Sequence, residues 1–120
     1  MRERKLRAYY PIDDKYVWHG TILDITAIDT RLCHDLLIFE LSTGLKDENL
    51  VEIYEGDIVD IIHPCWSEKC ITEFCNGSFV FKTINYNENQ NVVIPGYTFM
   101  QEKWKVKVIG NIHQNPELLK

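Results

Sequence analysis

The residues best equipped for chemistry in this 120-residue chain are four histidines, four cysteines and a dense run of acids, and their spacing decides what they can do. His63-Pro64-Cys65 leads into the series Cys65-x4-Cys70-x4-Cys75, which raises zinc. Finger and ribbon sites pair their ligands two to four residues apart on a tight turn, and do so twice, so only half of such a site can be read here. Free cysteines commonly pack as small hydrophobes, and no metal is expected. Glu52, Glu55 and Asp57 would make a paired-carboxylate centre only inside a pocket that shifts a pKa; an acidic surface turn is the default reading. His19, His34, His63 and His113 fall in no HExxH pattern and no nucleophile elbow. Gly20, Gly44, Gly56, Gly77, Gly96 and Gly110 each stand alone, so no phosphate-cradling loop is present. No catalytic residue, no cofactor and no enzymatic activity are expected.

Binding chemistry has more material. Tyr9, Tyr10, Tyr16, Trp18, Phe79, Phe81, Tyr97, Phe99 and Trp104 could stack bases on a sheet, although aromatic residues more often fill the core of a small β domain. Basic residues cluster at both ends, with Arg2, Arg4, Lys5 and Arg7 at the start and Lys103, Lys105 and Lys107 alternating near the finish. Arg2, Arg4, Arg7, Lys103, Lys105 and Lys107 are therefore the candidate basic face for nucleic acid. The global balance opposes that use: 13 Lys and Arg against 18 Asp and Glu give a net charge of -5. Between Asp35 and Asp60 the acids Asp35, Glu40, Asp47, Glu48, Glu52, Glu55, Asp57 and Asp60 face the single base Lys46, and that segment should repel phosphate. No run of about 18 apolar residues occurs, and the opening Met1-Arg2-Glu3-Arg4-Lys5-Leu6-Arg7 lacks a secretory apolar stretch. A cytoplasmic protein with reduced thiols and no membrane contact is expected.

The elements that must carry these residues follow a period of two. Leu6, Ala8 and Tyr10 alternate with Arg7 and Tyr9, then Pro11-Ile12-Asp13-Asp14-Lys15 supplies a turn before Tyr16-Val17-Trp18; a strand from Thr21 to Thr26 follows a bend at Gly20. Asp35 to Ser42 reads as a strand buried on both faces, or as a short helix. Ser42 to Asn49 is a polar connector, and Val51, Ile53, Ile58, Val59, Ile61 and Ile62 resume strand composition around a tight turn at Gly56. Ile71 to Lys82 is a hairpin closed by Asn76-Gly77, whose type I′ geometry matches strand twist. Thr83 to Asn91 is an exposed loop. Pro95-Gly96 puts Val92 to Phe99 on an edge or breaks it. Trp104, Val106 and Val108 face a core while the lysines between them face outward. Asn115-Pro116-Glu117 has the grammar of a helix start, with room for about one turn.

Three stretches together resemble the YopX family of phage and prophage proteins: Arg4-Lys5-Leu6-Arg7-Ala8-Tyr9; Thr43-Gly44-Leu45-Lys46-Asp47 with Glu52-Ile53-Tyr54-Glu55-Gly56-Asp57-Ile58-Val59; and Val108-Ile109-Gly110-Asn111-Ile112 with Asn115-Pro116-Glu117-Leu118-Leu119. One departure is visible. Where similar proteins carry Asn-Gly before Glu-Ile-Tyr, this chain has Asn49-Leu50-Val51, so a simple two-residue turn does not carry over. The resemblance implies a small β-rich fold with an SH3-like barrel element, a phage or prophage origin and no established activity. The motif residues Gly44, Leu45, Asp47, Ile53, Tyr54, Gly56, Asp57, Gly110, Asn111, Asn115 and Pro116 are expected to be structural.

The expectation is a mainly β, single domain over residues 1–120, with N-terminal strands over about 1–42, a barrel-like part over about 43–120 and a short C-terminal helical turn. Its expected role is a non-enzymatic accessory protein in a bacterial host cell that binds a protein partner or itself. The alternative is regulatory nucleic-acid binding through the basic ends.

Overall fold

The computed structural model of the chain describes residues 5–21, 31, 34–75, 78–84, 93–95 and 105–119. Within these residues the protein is mainly β. Strands β1 (Lys5–Tyr10) and β2 (Lys15–Thr21) form a hairpin, a 3-10 turn spans His34–Leu36, and β3 (Ile38–Lys46) and β4 (Glu52–Tyr54) complete an antiparallel sheet of order β2-β1-β3-β4. The chain then turns through Glu55–Gly56 into β5 (Asp57–His63), β6 (Trp66–Cys75), β7 (Ser78–Thr83), β8 (Val93–Pro95) and β9 (Lys105–Asn111), an antiparallel sheet of order β8-β7-β6-β5-β9. A 3-10 turn, Pro116–Leu119, follows Asn115 where a helix start is expected. The ladders of the described strands leave both sheets open, and no closed barrel forms among them.

The β6–β7 hairpin has the expected register, with Phe74 opposite Phe79 and Cys75 opposite Ser78; its Asn76-Gly77 turn lies outside the described residues. The core gathers Ile53, Val59, Ile61, Cys70, Phe81 and Val106, with Leu45 and Val108 packed against it. Each such side chain taken out of water contributes roughly 1.5–3 kcal/mol for residues of this size. Val106 is buried between exposed Lys105 and Lys107, as the alternation requires. Trp104 lies outside the described residues, as do the segments 22–26 and 85–91, on which a strand and most of a loop are expected. Val93–Pro95 sits at a sheet edge, the position in a sheet where proline is tolerated.

Four expectations are corrected. Gly20 is no bend: it pairs with Leu6 inside β2, its Cα facing the ring of Trp18. The run from Asp35 to Ser42 is not buried on both faces, because it begins as a 3-10 turn and leaves Ile38 39% and Phe39 40% exposed. Ser42 to Asn49 is not simply a connector. The strand continues to Lys46 through a register shift, since the side-chain oxygens of Ser42 and Thr43 accept the N–H groups of Gly44 and Leu45 at 3.0 and 3.1 Å and satisfy the displaced backbone. For the same reason the two sheets divide at Glu55–Gly56, not near residue 42.

Candidate functional site

β1 is an inner strand of its sheet, flanked by β2 and β3, and its register places Arg7 beside His19 on one side and Glu40 on the other. Arg7 is buried and lies where the two sheets meet. Its Nε donates to Glu40 Oε1 at 2.8 Å and one terminal nitrogen donates to Asp57 Oδ1 at 2.7 Å, from the first residue of β5. The guanidinium carbon lies 4.2 Å from the centroid of the Tyr16 ring and 4.7 Å from that of Tyr54. Burial works against the charge, but Asp57 and Glu40 outweigh it and hold Arg7 above its ordinary pKa. Arg7 is thus withdrawn from the candidate basic face. An arginine inside a strand buried on both sides has no route to solvent and must find carboxylates within the fold.

The network extends from Glu40. The Tyr16 hydroxyl donates to Glu40 Oε1 at 2.8 Å, and His113 Nε2 lies 3.2 Å from Glu40 Oε2. The His113 ring stacks on Tyr9 at 4.1 Å, while the Tyr9 hydroxyl donates to Asp14. That bond, with burial, pushes the Tyr9 phenol up to about 12. Burial first, and Glu40 beside it, also raises the Tyr16 phenol; burial lowers His19. Arg7, Glu40, Asp57, Tyr16 and His113 are held by one another. The cluster joins β1, β2, β3, β5 and the turn that follows β9.

The motif residues build the frame around this cluster. Gly56 has φ +86°, and a Cβ there would collide with the carboxylate of Glu40; its N–H donates to Thr72 O at 2.8 Å and its carbonyl accepts Ile112 N–H at 2.9 Å. Asp57 Oδ2 accepts the Tyr54 N–H at 2.8 Å, which clamps the turn. Asp47 accepts the N–H groups of Asn49, Val51 and Val108 at 2.8–2.9 Å, tying the β3–β4 loop to β9. Burial pushes its carboxyl up, but these donors and nearby Lys107 outweigh burial and hold it below the ordinary carboxylate value. Asn111 accepts the N–H groups of His113 and Gln114, and Asn115 accepts that of Asn111 at 3.1 Å. A Cβ on Gly110 would strike Asn115, so the two residues depend on each other. Ile53 and Leu45 pack in or on the core, Gly44 sits at the register shift, and Pro116 opens the final turn.

Two clefts flank the arginine cluster. One, of about 410 Å³, is lined by Arg7, Tyr16, His19, Tyr54 and Gln114. The other, of about 350 Å³, lies on the Glu40 and His113 side, between the start of β3, the Glu55–Gly56 turn and β6. Its rim carries Ile38, Phe39 and Phe74, the last 42% exposed. Glu40, Tyr16, His113, Phe39, Thr72 and Phe74 were not legible as a site, although a charged Glu40 within an otherwise apolar run is a sign of a buried partner. Among the described residues no three of His, Cys, Asp and Glu gather as a metal-binding group. Cys65 is exposed in the β5–β6 turn and Cys70 is buried within β6. Of the basic residues, Lys105 and Lys107 stand exposed on edge strand β9, opposite Ile62 and Asp60, while Arg2, Arg4 and Lys103 lie outside the described residues.

A family model described as YopX protein matches residues 7–120, from the central arginine to the last residue. The chain belongs to the YopX family. The crystal structure of protein EF1440 from Enterococcus faecalis has the same fold, with a TM-score of 0.63, 21% sequence identity and coverage of 98% of each chain. A search of the curated proteins returns no significant match. In this YopX protein the family's match begins at the residue that joins the two sheets. No helix among the described residues is long and apolar enough to cross a membrane.

Proposed function

We propose that this YopX protein is a non-enzymatic accessory protein of a phage or prophage, working in the cytoplasm of its bacterial host by binding another protein. One observation carries the reading: Ile38, Phe39 and Phe74, 39%, 40% and 42% exposed, surround a single open cleft at the junction of the sheets. Apolar side chains gathered on one concavity favour an occupant that removes them from water. Beside them Arg7, Glu40, Tyr16 and His113 are engaged with one another, which supports binding over catalysis. A second copy of the chain is one such occupant, and exposed strand edges offer it a route.

Nucleic-acid binding is the weaker reading. It retains Lys105 and Lys107 on β9, but Arg7 is lost to the interior, and the net charge of -5 opposes phosphate.

The test combines light scattering of the purified full chain with selection from a random peptide library. Either a mass above the monomer or enrichment of peptides is expected, and Phe39→Ser with Phe74→Ser should abolish it. A monomer that enriches nothing, or binding that ignores both substitutions, overturns the proposal. Fluorescence anisotropy with single- and double-stranded DNA at low and moderate salt decides the second reading, since salt-independent or absent binding removes it.

A further inference from the structure

Resting on the protein-binding reading, the geometry points to a particular occupant for the cleft between β3 and β6. We propose that it receives an extended peptide segment carrying a lysine or arginine next to an aromatic or large apolar side chain. The charge of the lining argues for the cation. Glu40, Glu55 and Glu73 line the cleft, and no lysine or arginine is among its lining residues. The guanidinium that reaches Glu40, that of Arg7, is already shared between Glu40 and Asp57. Glu55 gives Oε1 to the N–H of Leu41 at 2.9 Å, and Glu73 has no hydrogen-bond or ion-pair partner among the described residues. Carboxylates on a half-enclosed apolar surface attract a cation more strongly than they would in open water.

A second, independent feature points to a ligand. Thr72, 1% exposed, lines the same cleft, and its Oγ1 finds no hydrogen-bond partner among the described residues. A buried hydroxyl left unpaired costs on the order of 1–3 kcal/mol, a cost that an incoming peptide group within reach would remove. The aromatic rim supplies the remainder. Phe74 meets Phe79 edge-on at 4.8 Å, so its ring is held in place to receive a flat or apolar side chain, and Phe39 lines the same cleft. Acids at the wall and aromatics at the rim suit a segment that alternates the two chemistries. They do not suit an acidic peptide or a wholly polar basic one.

Fluorescence anisotropy with the full chain and three labelled synthetic octapeptides tests this: alternating arginine and phenylalanine, alternating glutamate and phenylalanine, and alternating arginine and serine. The arginine–phenylalanine peptide should bind at least about tenfold tighter than either control, and tenfold more salt should weaken it. Glu73→Gln should weaken it by about threefold and Phe39→Ser by about tenfold, with the fold of each variant verified by its melting curve. Equal binding of all three peptides, or unchanged affinity in both folded variants, overturns the proposal. If random selection instead enriches acidic or uncharged peptides that depend on Phe39 and Phe74, this inference fails while the protein-binding reading stands.

Discussion

Arg7 is the residue on which the two sheets depend, and its energetics are those of a buried charge between two carboxylates. Desolvating three ionised groups is expensive, and the Coulombic return depends on geometry. Here the geometry is complete: each carboxylate takes a guanidinium N–H at 2.7 or 2.8 Å, and two rings lie within 4.7 Å of the guanidinium carbon. Removing the cation alone leaves Glu40 and Asp57 buried and mutually repulsive. Arg7→Met should therefore cost about 3–5 kcal/mol, seen as a lower urea midpoint at neutral pH. Arg7→Lys keeps the charge, but one ammonium cannot reproduce the planar fork or its stacking, so an intermediate loss is expected. A urea midpoint for Arg7→Met within error of the unsubstituted protein would show that the cluster holds nothing together.

The β3–β4 loop shows what an element owes to single residues and how much of that is visible before a structure. Leu50 has φ +64° and is 77% exposed, so its side chain bears left-handed strain without burying area in return. Left-handed backbone costs a branched residue roughly 1–2 kcal/mol, and glycine's extra freedom when unfolded offsets part of that, so Leu50→Gly should stabilise by about 0.5–1 kcal/mol in thermal melts. Asp47 secures the other end of the loop. Its folded pKa lies below the unfolded one, so its contribution is complete above about pH 4, the ordinary carboxylate value, and disappears as pH falls through the folded value. Asp47→Asn should cost about 1–2 kcal/mol at pH 7, and the gap between the two urea midpoints should close at lower pH. A constant gap would mean the carboxylate charge is not what the loop uses. The departure at Asn49-Leu50-Val51 was legible because a missing glycine in a turn has one backbone consequence. Gly56 and the β6–β7 hairpin were legible for the same local reason. Arg7 was misplaced with the basic ends because charge counting ignores that Leu6, Ala8, Tyr9 and Tyr10 around it are all buried in one strand. The cleft was invisible, since Phe39, Thr72 and Phe74 converge only through the pairing of distant strands. Their alternation could show a face but not its partner.

At the scale of the whole molecule, the two sheets share so many connections that they should open together. Arg7 reaches Asp57, Gly56 bonds to both Thr72 and Ile112, and Asp47 holds Val108. Cys70 offers a way to measure this. It is fully buried in the core of the five-stranded sheet, and burial, with Glu68 and Asp60 nearby, pushes its thiol up to about 12. A thiol that is neutral and inaccessible reacts only when its surroundings unfold. Iodoacetamide labelling followed by peptide mass mapping should modify exposed Cys65 rapidly and Cys70 at a rate set by the population of the opened state. Arg7 belongs to the other sheet, so it tests the coupling from a distance. If both sheets unfold as one unit, Arg7→Met should accelerate labelling of Cys70 by more than about a hundredfold, the factor that corresponds to 3 kcal/mol of lost stability. If the β5–β9 sheet opens independently, Cys70 will be labelled at the same rate in both proteins even though the urea midpoint falls. That outcome would confine the arginine's work to the first sheet and make Glu55–Gly56 a hinge between two separately folding layers.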